Sequence, residues 1–206
     1  MTEPIGIIQV GVGGMGSVWV ETVQNTQAVT HVALVNTNAE VLRAQAQRCG
    51  LDASHCYTDL AAALQRESAD ALINVTPPQF HEAVCCQALE AGLSVLTEKP
   101  LSDTMAAARR IVAAAQRADK TLMVAQNYRY QAFAPTLRRL VSSGEMGAPG
   151  QVHVAFAKGP HFGGFREEMD HPLIVDMAIH HFDMLRYFLG ADPVAVSGRS
   201  WNPSWS

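Results

Sequence analysis

A glycine-rich turn near the start of the chain constrains its fold more than any other feature. The run Gly11-Val12-Gly13-Gly14-Met15-Gly16 follows the apolar segment 5–10 and precedes a stretch that can form a helix. In this setting Gly11 permits a tight turn out of a strand, and Gly13 has no side chain to hold off a pyrophosphate. Gly16 lets the helix pack close to the sheet, with its N-terminal N–H groups facing the phosphates. The run therefore predicts a dinucleotide site, the alternative being a plain glycine-rich turn.

Short apolar segments alternate with alanine-rich helical segments as far as residue 126. This alternation predicts a parallel sheet covered by helices on both faces, a doubly wound Rossmann architecture of the α/β class. The predicted strands are residues 5–10, 31–36, 56–57, 71–75, 94–97 and 122–125. The predicted helices are residues 15–26, 39–49, 59–66, 79–91 and 103–118, the last with Ser102 as its N-cap.

The pattern changes after Asn127. A helix is predicted at 132–143, and an alternating, half-exposed strand follows at 151–157. A loop rich in Gly, Pro and His then leads to a long helix at 173–189, closed by Gly190, and to a last strand at 194–201. These segments predict a dinucleotide-binding domain, residues 1–126, followed by an unfinished second domain, residues 127–206.

Composition and charge exclude several classes of function. The net charge is −4 and the chain has no basic stripe, so nucleic acid is not expected as a partner. No apolar run approaches the length of a membrane span, and the N-terminus carries no secretory signal. The four cysteines form no C-x-x-C pair, which is typical of reduced thiols. We therefore expect a cytoplasmic protein without a membrane partner.

Asn36 stands about 20 residues past the glycine run, where the ribose of a dinucleotide is expected. NAD-binding folds usually place Asp or Glu at this position. Asn36 can still hydrogen-bond a ribose hydroxyl, but it lacks the charge that repels a 2′-phosphate, and no Arg or Lys follows at once. The cofactor is therefore NAD or NADP, and Asn36 has the alternative of being an ordinary turn residue.

Two further strands end in residues that can carry chemistry. Thr76-Pro77-Pro78 follows one strand, with His81 one helical turn beyond, and Glu98-Lys99-Pro100 follows the next. Ligands bind at the carboxyl ends of such strands. Lys99 could therefore stabilise a developing alkoxide or help to move a proton. The alternative is a solvated charge pair at a strand-to-helix turn.

The helix predicted at 173–189 carries Asp176 and His180 four residues apart, which places them on one face, with Asp183 near the same stripe. An aspartate there can orient the imidazole, although a helix N-terminal acid and a core histidine would look the same. No metal site is predicted, because no zinc-motif spacing occurs among the histidines, which include His153, His161, His171, His180 and His181.

Taken together, these motifs resemble the Gfo/Idh/MocA oxidoreductases, a family that includes glucose–fructose oxidoreductase and inositol dehydrogenase. The pieces that carry the resemblance are Gly11–Gly16, Thr76–His81, Glu98-Lys99-Pro100, Asn127-Tyr128-Arg129 and Asp176-Met177-Ala178-Ile179-His180. The resemblance implies a Rossmann domain followed by an α/β domain with an antiparallel sheet. It also implies that this second domain is incomplete here, and that the intact sheet forms a homo-oligomer.

The resemblance further implies roles for individual residues. Lys99, Asp176 and His180 would form the catalytic group, with His180 as the general base on a substrate hydroxyl. Arg129 would join these three at the substrate, or else form a structural ion pair. The residues implied at the cofactor are Gly11, Val12, Gly13, Gly14, Met15, Gly16, Asn36, Thr76, Pro77, His81, Glu98, Lys99 and Asn127.

The activity implied is hydride transfer between NAD or NADP and a secondary alcohol of a sugar, cyclitol or related polyol. Two alternatives remain: an NAD-dependent glycosidase of the same family, and a dinucleotide-binding regulator without catalysis. A regulator would be expected to lose Lys99 or His180, and both are present. For the chain itself we expect exposed sheet edges and apolar surface, with a tendency to associate.

Overall fold

The computed structural model describes residues 3–157 and 163–201. The chain divides into two compact units, residues 1–125 and residues 126–206. Unit 1 contains the strands β1 (Ile5–Val10), β2 (Val29–Val35), β3 (Cys56–Tyr57), β4 (Ala71–Asn74), β5 (Ser94–Thr97) and β6 (Leu122–Val124). Its helices are α1 (Gly14–Gln24), α2 (Ala39–Cys49), α3 (Leu60–Arg66), α4 (His81–Glu90) and α5 (Met105–Ala118).

The six strands form one parallel sheet in the order β3-β2-β1-β4-β5-β6. Strands β2 and β3 lie on one side of β1, and strands β4, β5 and β6, which follow later in the chain, lie on its other side. The order reverses where β1 lies beside β4, which is where ligands bind in open α/β sheets, outside the carboxyl ends of the strands. The predicted doubly wound Rossmann sheet is confirmed.

Helices cover both faces of this sheet because its strands alternate apolar side chains above and below. On one face Ile8, Leu72 and Val95 pack with residues of α3, α4 and α5, such as Leu89 and Ile111, all of which are fully or almost fully buried. On the other face, α1 and α2 bury Val20 and Leu42 against Val12 and Leu34. Burial on both sides explains why the strands are continuously apolar.

The ends of the helices follow local capping chemistry. Thr104, and not Ser102, is the N-cap of α5, since its hydroxyl accepts a hydrogen bond from the N–H of Ala107 at 3.2 Å. The Ser102 hydroxyl instead donates to the carboxylate of Asp103 at 3.0 Å. The helix therefore begins two residues later than the sequence predicts. No helix in the described part of the chain is long and apolar enough to cross a membrane.

Unit 2 contains α6 (Phe133–Ser142) and α7 (Ala178–Leu189), and a π-helical turn (Leu173–Met177) leads directly into α7. Gly190 ends α7 in the left-handed conformation, with φ of 63°. The strands predicted at 151–157 and 194–201 do not form, and the described residues of unit 2 contain no antiparallel sheet. Both segments are exposed along their length and have no neighbouring strand to pair their backbone groups.

Candidate functional site

The glycine run forms the turn between β1 and α1. A Cβ on Gly11, whose φ is +85°, would come within 2.6 Å of the carbonyl oxygen of Val75, so only glycine fits beside the β4 loop. A Cβ on Gly16 would collide with the carbonyl oxygen of Gly11. At Gly13, by contrast, the nearest atom would be Cγ1 of Val41 at 3.8 Å, and no side chain caps the start of α1. This is the open, uncapped helix start that a pyrophosphate requires.

Asn36 lies one residue after β2 and is tied to the glycine turn. Its side-chain oxygen accepts a hydrogen bond from the N–H of Val12 at 3.3 Å, and its amide donates to the carbonyl oxygen of Asn38 at 3.1 Å. Asn38 in turn caps α2, since its side-chain oxygen accepts from the N–H groups of Glu40 and Val41. Asn36 is therefore beside the glycine turn, at the position expected for a ribose contact.

The loop after β4 is organised by Asn74, which is fully buried. Its side-chain oxygen accepts hydrogen bonds from the N–H of Thr76 at 3.2 Å and from the hydroxyl of Thr76 at 2.7 Å. Its amide donates to the hydroxyl of Thr97, the last residue of β5, at 3.0 Å. Asn74 thus fixes the position of Thr76 and links the carboxyl ends of two neighbouring strands.

His81 has no exposed surface and contacts both the loop after β4 and the loop after β5. Its Nε2 is 2.8 Å from the carbonyl oxygen of Thr76, and its Nδ1 is 3.0 Å from the carbonyl oxygen of Pro100. The peptide bond between Lys99 and Pro100 is cis. The imidazole therefore holds the backbone of the Thr76 loop and of the Pro100 loop in place.

Glu98 connects the loop after β5 to helix α1. One oxygen of its carboxylate accepts a hydrogen bond from the indole N–H of Trp19 at 2.8 Å, and the other accepts from the backbone N–H of Lys99 at 3.1 Å. Trp19 itself packs on the apolar cluster formed by Ile7, Val23 and Ile73. The position of Lys99 is thus tied to the helix that begins in the glycine turn.

In unit 2, His180 is buried in the first turn of α7. Its ring stacks on the ring of Tyr128, with the centroids 4.1 Å apart and the planes 8° apart. A face-to-face contact of this kind fixes the plane of the imidazole. Tyr128 lies in a short 3₁₀-helix (Asn127–Tyr130), in which Asn127 itself is exposed.

Asp176 lies in the π-helical turn and is only 1% exposed. One of its carboxylate oxygens accepts a hydrogen bond from Nε of Arg166 at 2.6 Å. The Arg166 guanidinium also lies 4.7 Å from the ring centroid of Phe165. π-Helical turns inside helices occur frequently at functional sites. Asp176 is therefore a buried carboxylate held from one side by an arginine.

Arg129 forms an ion pair with Asp183 on α7. Its Nε donates to one carboxylate oxygen at 2.7 Å, and a second guanidinium nitrogen bonds the other oxygen. This two-point hydrogen bond raises the pKa of Arg129 above its ordinary value. The contacts of Arg129 with Asp183 are therefore those of a structural ion pair.

Sequence reasoning gave no role to Gln9, Trp19, Asn74 or Tyr128. A signal existed for two of them, because Gln9 and Asn74 are polar residues inside otherwise apolar strands. Burying such groups costs free energy unless they are hydrogen-bonded, so each marks a specific partner. Across residues 3–157 and 163–201, no group of three His, Cys, Asp or Glu side chains is arranged to hold a metal ion.

Comparison with protein families gives two adjacent matches. Residues 5–126 match the model described as an oxidoreductase family with an NAD-binding Rossmann fold, GFO_IDH_MocA. Residues 135–205 match a GFO/IDH/MocA C-terminal domain. The first match alone covers more than half of the chain, and it contains the whole parallel sheet.

Individual relatives agree with the family matches. The chain is 33% identical, over 97% of its length, to an uncharacterized protein named y4oX of Sinorhizobium fredii, and it spans 58% of that protein. It is 30% identical, over 95% of its length, to inositol 2-dehydrogenase of Corynebacterium glutamicum, of which it spans 57%. It therefore covers less than three fifths of the length of these relatives.

Among solved structures, the fold is similar to that of myo-inositol 2-dehydrogenase from Lactobacillus plantarum. The TM-score is 0.77 at 22% identity, and the match covers 93% of this chain and 58% of that one. At this level of identity the likeness concerns the fold.

Proposed function

Because the chain belongs to the Gfo/Idh/MocA family of NAD-binding oxidoreductases, we propose that the protein is a dehydrogenase acting on a polyol. It transfers hydride between NAD or NADP and a secondary alcohol carbon of a sugar, cyclitol or related polyol. The observation that carries this proposal is the edge of the parallel sheet in unit 1. There, the glycine turn, the Thr76 loop and the Glu98-Lys99 loop follow the adjacent strands β1, β4 and β5.

The cofactor is held through the glycine turn. The open space at Gly13 and the uncapped start of α1 would receive the diphosphate, and Asn36 would bind the adenosine ribose. The nicotinamide half would be held at the ends of β4 and β5, by residues whose backbone is fixed by His81 and Asn74. The residues that we propose at this half, on the strength of the family resemblance, are Thr76, Pro77, Glu98, Lys99 and Asn127.

The chemistry is a coupled loss of a proton and a hydride from the substrate carbinol. His180 accepts the hydroxyl proton as general base, and the ammonium of Lys99 stabilises the charge that develops on the oxygen. As the C–H bond breaks and a carbon–oxygen double bond forms, the electron pair leaves as hydride, for which the bound nicotinamide supplies the acceptor. Asp176 orients the substrate and the imidazole.

Two features of unit 2 support these roles. Stacking on Tyr128 restricts rotation of the His180 ring, which is what a general base needs in order to meet one proton. Arg166 fixes the Asp176 carboxylate at one oxygen. The inositol 2-dehydrogenase relative suggests cyclitols as the first substrates to examine. Free cysteines at positions 49, 56, 85 and 86 fit the cytoplasmic location that we propose.

The proposal is tested by following oxidation of inositols and simple sugars with NAD and with NADP. We expect His180→Ala and Lys99→Ala each to lower turnover by about 10²- to 10⁴-fold, because each removes a group that acts on the transferred proton or the developing charge. His180→Ala should leave the cofactor dissociation constant within about threefold of the wild type, since its role is in proton transfer.

A matched variant separates chemistry from binding. Gly13→Ala adds a methyl group whose nearest protein atom is Cγ1 of Val41 at 3.8 Å, an ordinary van der Waals contact, so the fold should persist while cofactor affinity falls at least about tenfold. Turnover close to that of the wild type in either catalytic variant would rule out the assigned roles. Undiminished cofactor binding by Gly13→Ala would rule out the glycine turn as the diphosphate site.

A further inference from the structure

Gln9 is a buried polar residue that the proposed function does not use. It lies in β1, one residue before the last residue of the strand, on the same side of the pleat as Ile7, which packs towards α1. Its side chain has no exposed surface. Burying a side-chain amide costs folding free energy unless its two donor hydrogens and its acceptor oxygen are all hydrogen-bonded. The hydrogen-bond partners of Gln9 therefore indicate its role.

Both hydrogens of the Gln9 amide are donated to the glycine turn. Nε2 donates to the carbonyl oxygen of Gly11 at 3.1 Å and to the carbonyl oxygen of Gly16 at 2.8 Å. These two glycines are the first and the last of the run, and they touch each other so closely that a Cβ on Gly16 would collide with Gly11. One side chain therefore joins the two ends of the turn from inside the protein.

His31, on the neighbouring strand β2, fixes the orientation of this amide. Its Nε2 is 3.0 Å from Oε1 of Gln9. If the amide were turned over, its oxygen would face two carbonyl oxygens, so the orientation is the one that satisfies all three partners. Because the amide oxygen only accepts, Nε2 of His31 must carry the hydrogen. Burial lowers the pKa of His31 to about 4, so the ring is neutral around pH 7 and donates as this single tautomer.

The direction of these bonds matters for the ligand. A diphosphate would be bound by outward-pointing N–H groups at the start of α1, which requires one backbone conformation of the turn, and in that conformation the carbonyls of Gly11 and Gly16 face the Gln9 amide. Inward carbonyls without donors would favour a different backbone conformation, in which they reach a partner elsewhere. The Gln9 amide donates to the carbonyl of Gly11 and also to that of Gly16 in the first turn of α1, so it joins both ends of the turn at once.

We propose that Gln9 is a positioning residue for the cofactor diphosphate. It holds the carbonyls of Gly11 and Gly16 inwards, and it thereby keeps the turn in the conformation that binds the diphosphate before the ligand arrives. The proposal rests on cofactor binding by the glycine turn, as given under the proposed function, and is independent of the assigned catalytic residues.

The test uses ADP-ribose and NADH as ligands, titrated by calorimetry into the 206-residue protein. ADP-ribose carries the diphosphate but lacks nicotinamide, so its affinity reports on the turn alone. Gln9→Met keeps the length of the side chain and removes both donors, and it should weaken binding of both ligands at least about tenfold. Ile111→Val, a buried change on α5 of unit 1, is the matched control and should leave both affinities within about twofold.

A second variant gives a signature that a purely structural residue would not show. In Gln9→Glu, the protonated acid can donate one hydrogen bond to the turn, whereas the ionised carboxylate can donate none and repels both carbonyls. ADP-ribose should therefore bind Gln9→Glu progressively more weakly as the pH rises through the titration of this acid. Binding to the wild type should vary by less than about twofold over the same range. Measuring only where circular dichroism shows a folded protein keeps stability out of the comparison.

The possible outcomes distinguish a failure of the role of Gln9 from a failure of the proposed function. If the wild type binds ADP-ribose and folded Gln9→Met binds it equally well, the role of Gln9 is overturned while the proposed function stands. If Gln9→Met does not fold, the pH profile of Gln9→Glu decides, and a profile as flat as that of the wild type overturns the role. If the wild type binds neither ligand, the cofactor site and the role of Gln9 both fall.

Discussion

At the scale of single residues, His31 shows how burial removes a charge that would otherwise be present near the glycine turn. It lies on β2, is partly buried, and contacts the Gln9 amide through Nε2. Desolvation lowers its pKa from 6.5 to about 4. An imidazole with an unperturbed pKa would become charged in mildly acidic solution, whereas this ring stays neutral until the pH is well below that range.

This shift predicts how stability depends on pH. Between about pH 6.5 and pH 4 the unfolded chain binds a proton at His31 that the folded protein does not bind, so stability falls as the pH is lowered through this window. Each pKa unit corresponds to about 1.4 kcal/mol, and the partial exposure of the ring reduces the effect, which sets an upper limit of about 3 kcal/mol near pH 4. Above about pH 6.5 the contribution of His31 is constant.

Urea unfolding of the wild type and of His31→Gln at several pH values measures this contribution. Glutamine keeps a donor for Oε1 of Gln9 and does not titrate, so the variant should lose less stability than the wild type on acidification. The difference between the two proteins should develop between about pH 6.5 and pH 4. Parallel stability profiles over this range would contradict the prediction.

Part of the site could be predicted from residue types in the sequence, and the rest became visible only from the contacts in the structure. The glycine spacing was sufficient to predict the turn, because Gly11 and Gly16 lie too close to backbone atoms for any side chain, and Gly13 leaves the start of the helix open. Gln9 and Asn74 could be noticed as polar residues in apolar strands, but their partners could not be named. His31 is 22 residues from Gln9, and Thr97 is 23 residues from Asn74. Such pairs depend on strand order and register, which a local pattern does not contain.

At the scale of secondary-structure elements, the start of α2 bears on the choice between NAD and NADP. The N–H groups of Glu40 and Val41 are used by the Asn38 side chain at 2.9 and 3.1 Å, so they are not available to a phosphate. Glu40 adds an exposed carboxylate in the first turn. Arg43 lies three residues after Glu40 on the same helix.

We therefore predict that the protein prefers NADH to NADPH by at least about tenfold in dissociation constant. A 2′-phosphate near Asn36 would meet a carboxylate and already occupied donors, whereas a ribose hydroxyl can bond the Asn36 amide. Thr37→Arg adds a cation and should reduce the preference for NADH over NADPH at least about fivefold. Thr37→Gln has a neutral side chain of similar length and should leave this preference unchanged. Equal affinities for the two cofactors in the wild type would contradict the prediction.

Elements with a strong local pattern were predicted well, and those that depend on distant partners were not. All six strands and all five helices of unit 1 were expected within a few residues of their observed bounds. The π-helical turn at Leu173–Met177 was missed because its apolar residues fit an α-helix equally well. Residues 151–157 alternate like a strand, but alternation does not provide the neighbour with which a strand must pair.

At the scale of the whole molecule, unit 2 exposes an unusual amount of apolar side chain. Leu173, Ile174 and Val175 are 37–50% exposed in the π-helical turn, and Phe182 on α7 is 47% exposed. Exposed apolar side chains on a small unit favour association. The homo-oligomer that the family resemblance implies stays a prediction.

We predict that the 206-residue protein self-associates in a concentration-dependent manner. Light scattering coupled to size exclusion should show a mass above 22.2 kDa that falls on dilution. Phe182→Glu should shift the protein towards the monomer. Met105→Glu, which charges a more exposed position on α5 in unit 1 (69% against 47% for Phe182), should have little effect. A monomer that is stable at all concentrations would exclude the role of this surface.

The hydrogen bond between Trp19 and Glu98 has a consequence for spectroscopy. It places an indole of unit 1 beside the loop that carries Lys99. Indole emission overlaps the absorption of reduced nicotinamide, so NADH bound at this sheet edge should quench the fluorescence of Trp19 by energy transfer. The chain has two other tryptophans, Trp201 and Trp205, and replacing both with phenylalanine leaves Trp19 as the single source of indole emission. The protein thus contains its own optical reporter of cofactor occupancy, and binding can be followed without a label.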